Sequence, residues 1–279
     1  MANASALDAP FEALFDRTAA LSPDVTEFTS PGGTTDYPIP ALTKWLEILL
    51  IGGGGRGGNC PGGDYHGGAG GGGAGELLHR WVRVGPLFLP EATTLSVHVG
   101  AGATQGGPAT SSYILDAAGR NDAPFRLYAR WGDNGAPGGA TEGGSGGERA
   151  TTGGSGYGSG SAAGGAGAGS GAGVGGGDGE TGYFSKIAAG GDGGINGTPT
   201  SPGQGGRPGH GYGAGGGGAG GSGFSFSNGP GGGGGGGGGY GVATLAVIGA
   251  PGPGIVDSAK YGGNGAPGIV IITAWRGAP

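Results

Sequence analysis

The sequence predicts an all-β protein that combines a small antiparallel β-sandwich, polyglycine II helices in a large glycine-rich insertion, and a short N-terminal helix. Three observations lead to this fold class. Glycine supplies 84 of 279 residues, against a usual share of about 7%. Apolar segments with strand-like patterning stand on both sides of the longest glycine tract. Only the first two dozen residues place apolar side chains at helical spacing.

Residues 1–24 predict a short amphipathic helix that serves as a docking arm. An Asp before Pro10 is typical of a helix start, and Pro23 is typical of a stop. The apolar positions of this segment, which we predict to dock the protein onto a phage tail, are Leu7, Phe11, Leu14 and Phe15. The alternative is a frayed terminus with a chance apolar stripe, because a helix this short is marginal when isolated.

Strand-like apolar segments in residues 25–131 predict the β-sandwich, which includes a first glycine block. Similar segments in residues 242–279 predict the strands that complete the sandwich. The clearest pattern is the period-two alternation of Leu95, Val97 and Val99. Pro31 to Gly33 reads as a turn. The predicted strand segments are 25–30, 37–40, 44–51, 76–84, 94–100, 111–115, 125–131, 242–248 and 268–275.

The high glycine content of residues 132–241 predicts a polyglycine II bundle with loops. Glycine has the largest backbone entropy to lose on folding, so a tract this long needs partners for its backbone groups. A threefold extended helix makes no internal hydrogen bonds and directs its amides sideways, where side-chain-free neighbours can accept them. Ala166 to Val174 alternates glycine with period two, which favours a silk-like sheet in that stretch.

The strand order resembles the glycine-rich domain of bacteriophage tail fibres and minor tail proteins. In those proteins an apolar strand runs into GGGG, a later strand ends in VG, and a G-(I/V)-V-(I/V) strand closes the domain. The matching positions are 48–55, 97–102 and 265–275, and the resemblance covers residues 25–279. A similar glycine-rich fold occurs outside the cell in some animal receptor tyrosine kinases, whose cysteines, signal peptide and kinase segment are missing here.

The resemblance implies a virion protein of the distal tail, made in the host cytoplasm, homotrimeric and bound to other phage tail proteins. Its glycine-rich loops would then bind a host cell-surface glycan or protein. The alternative is a purely structural minor tail protein that plugs or decorates the tail tip without contacting the host.

The predicted receptor-binding residues are aromatics isolated within the glycine tract. Aromatic side chains offer a large contact area at low entropy cost, which suits sugars and apolar patches. The alternative is that they cap the ends of the bundle or fill gaps at a subunit interface. These residues are Tyr157, Tyr183, Phe184, Tyr212, Phe224, Phe226 and Tyr240.

Charge and composition argue against several classes of partner. The formal net charge is −6 and no basic run occurs, so we expect no nucleic-acid binding. The strongest apolar run, Trp45–Ile51, is too short to span a bilayer, and we expect no membrane insertion. The first residues lack the charge and apolar core of a signal peptide, so we expect none.

We also expect no catalysis, no cofactor and no metal. Cys60, Asp64 and His66 stand close together, but no second cluster at zinc-site spacing accompanies them. Asp178 and Asp192 resemble calcium-binding glycine repeats without the nine-residue period. No nucleophile, base and acid combination is recognisable, and no phosphate-binding lysine motif is present.

Overall fold

The computed structural model describes residues 22–59, 68–85, 94–116, 125–138, 209, 211–219 and 261–276. The predicted docking helix with Leu7, Phe11, Leu14 and Phe15 lies outside these ranges. The same is true of the silk-like stretch 166–174 and of the predicted strand 242–248.

The described residues contain eight β-strands and no helix. Eight of the nine predicted strand segments therefore contain a strand, and the turn predicted at Pro31 separates the first two. The strands are β1 (Asp24–Phe28), β2 (Thr34–Pro38), β3 (Trp45–Ile51), β4 (Leu77–Arg83), β5 (Thr94–His98), β6 (Ser112–Asp116), β7 (Arg126–Ala129) and β8 (Ile269–Trp275).

The strands form two antiparallel sheets of four strands each. The first sheet has the order β1-β8-β3-β4 and the second the order β2-β5-β6-β7. In the first sheet Ile48 of β3 pairs with both Ile272 of β8 and Arg80 of β4. Strands far apart in sequence thus become neighbours, with β8 inserted between β1 and β3.

One hydrophobic cluster joins the inner faces of the two sheets. Alternate residues of β3, including Leu46 and Ile48, meet Leu95, Val97 and Ile114 of the second sheet. The period-two pattern of β5 therefore correctly predicted its buried face. Burying a side chain of this size stabilises the fold by about 1.5–3 kcal/mol. Two sheets packed through a shared core are what a β-sandwich requires.

A second cluster covers part of the outer face of the first sheet. Leu49, Ile51, Leu77 and Ile271 belong to it, and the half-buried Tyr212 packs against it. The glycine-side end of β3 is consequently buried on both faces. A strand buried on both faces reads as a nearly continuous apolar run, which explains the sequence WLEILLI.

Extended glycine segments continue several strands beyond the sheets. They span 52–59, 68–76, 100–103, 132–138, 211–219 and 261–268, and we refer to these six as the glycine segments. Of the predicted bundle region 132–241, the structure describes 132–138, 209 and 211–219. These parts bond to glycine segments that lie earlier and later in the chain.

Candidate functional site

Residues 52–59, here called the central segment, continue β3 directly into the other glycine segments. Its N–H groups donate at every third position to 68–76 and, from a second set of positions, to 261–268. The donor–acceptor distances are Gly52 to Glu76, 2.9 Å; Gly55 to Gly73, 2.8 Å; Gly58 to Gly70, 2.8 Å; Gly54 to Ala266, 2.9 Å; and Gly57 to Gly263, 2.9 Å. Successive bonds to one neighbour are three residues apart on both segments.

Carbonyl groups of the central segment accept bonds from two further neighbours. Segment 132–138 donates from Gly132 to Gly53 (2.9 Å) and from Gly135 to Arg56 (2.9 Å), again at a step of three. Segment 211–219 donates from Gly216 to Gly55, 2.9 Å, and from Ala219 to Gly58, 3.1 Å. The central segment is thereby tied on several sides by main-chain hydrogen bonds.

Other pairs of glycine segments repeat the same step. Segment 68–76 donates to segment 211–219 from Ala69 to Ala219 (2.9 Å), Gly72 to Gly216 (2.8 Å) and Gly75 to Gly213 (2.9 Å). Every third residue of an extended chain with three residues per turn points in the same direction. The bonding pattern therefore repeats every three residues, whereas the side chains of a β-strand repeat every two.

Close approach of backbones explains why these positions are glycine. A Cβ atom built on Gly53 would lie 2.0 Å from the carbonyl oxygen of Ala101. On Gly54 it would lie 2.1 Å from that of Ala214, and on Gly55 2.0 Å from that of Asp133. No side chain fits at such distances, so the absence of Cβ is the structural requirement.

A protein-family comparison matches residues 29–275 to the glycine-rich domain. This range contains seven of the eight strands and all the glycine segments. The chain belongs to the glycine-rich domain family. A comparison of this glycine-rich domain with curated proteins gave no match.

The glycine-rich domain has a far end, which we define by Asn59, Gly138 and Ala219, the positions most distant from the sheets along their segments. Gly138 donates its N–H to the carbonyl of Asn59, 3.3 Å, and Gly262 donates to the Asn59 side-chain oxygen, 3.3 Å. Residues 60–67, 139–208 and 220–260, which lie outside the described residues, all follow from this end.

Six of the seven predicted receptor-binding aromatics belong to those outgoing segments and lie outside the described residues. Tyr157, Tyr183 and Phe184 fall within 139–208, and Phe224, Phe226 and Tyr240 fall within 220–260. The structure thus places the ends of the segments that carry them, though not the aromatic side chains.

The seventh, Tyr212, is described and lies at the opposite end, next to the sheets. Its ring packs on the second cluster, and its pKa is raised by burial and further by the negative charge of Glu27. Tyr212 therefore contacts its own chain where the glycine segments meet the sheets.

A polar cluster occupies the far end of the described glycine-rich domain. The Arg56 guanidinium donates to the side-chain oxygens of Asn59 (3.1 Å) and Gln105 (2.9 Å). The Gln105 amide donates back to Asn59 (3.0 Å), and Asn134 accepts the backbone N–H of Arg56 (3.0 Å). This cluster offers a cation and amides to an anionic or hydroxyl-rich ligand.

Sequence reasoning did not single out Arg56, although it is the sole side chain longer than glycine within GGGGRGG. A charged residue between glycines that have no room for a Cβ must direct its side chain away from the neighbouring segments. The single arginine in this glycine run was therefore the sequence feature that could have indicated a polar site.

Two further residues fix the junction between the sheets and the glycine segments. Ser112, fully buried, accepts the N–H of Gly100 (2.9 Å) and donates to the carbonyl of Ile51 (2.5 Å). The buried carboxyl of Glu76 accepts the N–H of Arg130 (3.0 Å), and burial raises the pKa of Glu76. Neither role could be predicted, because both partners are remote in sequence.

The outer side of the first sheet, away from the glycine segments, carries a tryptophan face that we define by Trp45, Trp81 and Trp275, with His79 and Val25 beside them. The Trp81 and Trp275 rings lie 5.9 Å apart and those of His79 and Trp81 6.4 Å apart. Trp81 is 40% exposed and Val25 58%. Period-two spacing places each residue on one side of its strand, but only the register brings three strands' tryptophans together.

Two further kinds of feature, metal-ligand clusters and membrane-spanning helices, are absent from the described ranges. No group of three potential metal ligands occurs there, and Cys60, Asp64, His66, Asp178 and Asp192 lie outside them. Among the same residues, no helix is long and apolar enough to cross a membrane.

Proposed function

We propose that this glycine-rich domain is a phage virion protein of the distal tail that presents its outgoing segments to a receptor on the host cell surface. The observation that favours it most is that 60–67, 139–208 and 220–260 all leave from the far end, where 60–67 and 220–260 also return, whereas the chain after 139–208 resumes nearer the sheets. Chain entry at β1 lies at the sheets, so attachment and presentation would use opposite ends. The tail-fibre resemblance supplies the virion location; the family match names only a glycine-rich domain.

We further propose that the glycine segments are polyglycine II helices packed as a bundle beside a β-sandwich. Two observations support this. The lateral hydrogen bonds repeat every three residues, and a Cβ built on Gly53, Gly54 or Gly55 would lie only 2.0 to 2.1 Å from a neighbouring carbonyl oxygen. Such a bundle is stiff because its contacts are hydrogen-bonded main chain. A rigid base of that kind suits variable binding segments, which need a fixed framework.

The receptor would be a glycan or a protein of the cell surface. Six aromatics on the outgoing segments provide ring faces for sugar or apolar contact. Arg56 and its amide neighbours add a polar contribution at the base of those segments. We propose a homotrimer bound to other tail proteins, with no enzymatic activity and no cofactor.

The test is a phage that encodes a shortened chain. Residues 220–260 are replaced by a short Gly-Ser linker between Ala219 and Tyr261, which keeps every described glycine segment. The matched control replaces 86–93, which joins β4 to β5 at the sheets. Particle yield by electron microscopy, incorporation by immunoblot and adsorption rate on the host are measured for both.

We expect normal particles that contain both variants, with adsorption reduced at least about tenfold only for the 220–260 replacement, as for loss of a binding hot spot. Unchanged adsorption with an incorporated variant would favour the purely structural tail-tip role. Absence of the wild-type chain from purified particles would refute the virion assignment itself.

A further inference from the structure

The tryptophan face is an aromatic surface, crossed by the 2.9 Å ion pair of His79 and Glu47, that no described segment covers. Three of the four tryptophans of the chain lie on it. One cross-strand row of the face runs from Trp81 through Glu47 and Thr273 to Val25, so that it reaches all four strands. The glycine-side half of the same sheet surface, by contrast, is packed under Tyr212. Large exposed apolar patches of this kind mark interaction sites.

The chain enters the fold beside this face. Asp24, the first residue of β1, pairs with Ala274 next to Trp275, and Arg276 fixes it through a 2.7 Å ion pair. Residues 1–21 are therefore connected to the fold, at their C-terminal end, at the border of the face. The link from Phe15 to Asp24 can extend about 30 Å, whereas the face measures about 13 Å along the strands and about 15 Å across them.

The preceding segment has the apolar pattern and the length that the face needs. Leu7, Phe11, Leu14 and Phe15 share one side of a helical projection and would span about 12 Å from the first to the last of them. This length is close to the extent of the face along its strands.

Charges on the two surfaces are mixed. On the predicted helix, Glu12 lies at one border of the apolar side and Arg17 at the other. On the face, Arg83 stands opposite Trp45, and Glu47 is held by His79 in a 2.9 Å ion pair. The pairing therefore rests on apolar burial and not on net charge.

We propose that residues 7–15, which include the start of the predicted helix at Asp8 and Pro10, pack on the tryptophan face of their own chain, with the four apolar side chains against Trp81 and Trp275. These four residues then anchor the arm to the sheet, and its polar side is what remains for contact with a partner. The inference concerns the isolated chain and does not rest on the proposed tail function.

The experiment uses the full chain carrying Trp131→Phe, so that tryptophan emission reports on the face alone. Truncation of residues 1–21 is compared with Leu14→Asp and with the matched control Ala13→Asp, which adds the same charge on the opposite side of the predicted helix. Emission maximum and acrylamide quenching are measured for each, with the melting temperature as a check of folding.

We expect a red shift and stronger quenching in the truncated protein, the same change for Leu14→Asp, and no change for Ala13→Asp. Adding Trp81→Ser should abolish the difference between Leu14→Asp and its parent. Equal quenching in the full and truncated chains would overturn the proposal.

Three other results would overturn it as well. One is an equal effect of Leu14→Asp and Ala13→Asp on the emission maximum and on quenching. Another is concentration-dependent protection that survives truncation, which would indicate a second copy on the face. The third is protection seen only in assembled particles, which would indicate another protein.

Discussion

Gly55→Ala tests whether close backbone contact is what requires glycine in the central segment. A Cβ on Gly55 would lie 2.0 Å from the carbonyl oxygen of Asp133, which itself accepts the N–H of Gly73 at 2.8 Å. Gly55 also donates to Gly73 and accepts from Gly216. To restore an ordinary contact, the two segments must separate by at least about 1 Å, which is enough to break a hydrogen bond.

The cost follows from the number of bonds disrupted. Each buried backbone group left without a partner costs about 1–3 kcal/mol, so two lost bonds destabilise the fold by about 2–6 kcal/mol. A domain of this size loses about 2–4 °C of melting temperature per kcal/mol. The expected fall in Tm is therefore about 5–20 °C.

Gly33→Ala is the matched control, because a Cβ there meets no atom within 4 Å and the backbone angle is ordinary. Its stability should be unchanged or raised by less than about 1 kcal/mol. Both variants are followed by thermal melting and by amide hydrogen exchange of residues 52–59. A Gly55→Ala protein that melts within about 2 °C of the wild type, with unchanged exchange, would refute the reasoning.

Three further substitutions probe the junction and the turn. Burial raises the pKa of the Glu76 carboxyl, so the folded protein binds the carboxyl proton more tightly than the unfolded chain does. The protonated carboxyl therefore contributes its full stability below the ordinary carboxyl pKa, and this contribution declines as pH rises through the raised pKa of the folded state. Glu76→Gln, which can still accept the N–H of Arg130, should flatten that decline in melts from about pH 4 to about pH 8; an unchanged slope would contradict this. Ser112→Ala leaves the N–H of Gly100 without its buried acceptor and should cost about 1–3 kcal/mol in denaturant titration, and a neutral result would mean that the junction relaxes. Leu42 is 82% exposed at φ 65°, so Leu42→Gly should raise stability by about 1 kcal/mol by thermal melting, whereas a loss would show that its side chain has a contact of its own.

The glycine segments show how backbone geometry can replace a hydrophobic core. Where a methyl group does fit, alanine occupies the position: Ala69 meets Ala219, and Ala214 meets Ala266, all fully buried. Larger side chains inside the segments, such as Arg56, lie at positions where they reach other polar groups. Composition therefore follows from the distance between neighbouring backbones rather than from flexibility.

The sequence by itself determined the class of structure and the position of the strands. Period-two patterning located β5, the apolar runs located β3 and β8, and the glycine content required a main-chain hydrogen-bonding partner for each segment. These features are local, because they depend on which side of a strand a residue occupies and on whether it has a Cβ.

Only the tertiary structure decided which segments became neighbours. The insertion of β8 between β1 and β3 gathers the tryptophans, and the pairing of 52–59 with segments before and after the long tract creates the far end with its Arg56 cluster. Tyr212, predicted as a receptor contact, packs on the first sheet, and only the fold shows this position. Glycines are chemically identical, so their order in the chain carries no information about partners. The register between neighbouring glycine segments is set by the few residues with side chains at the two ends of each segment.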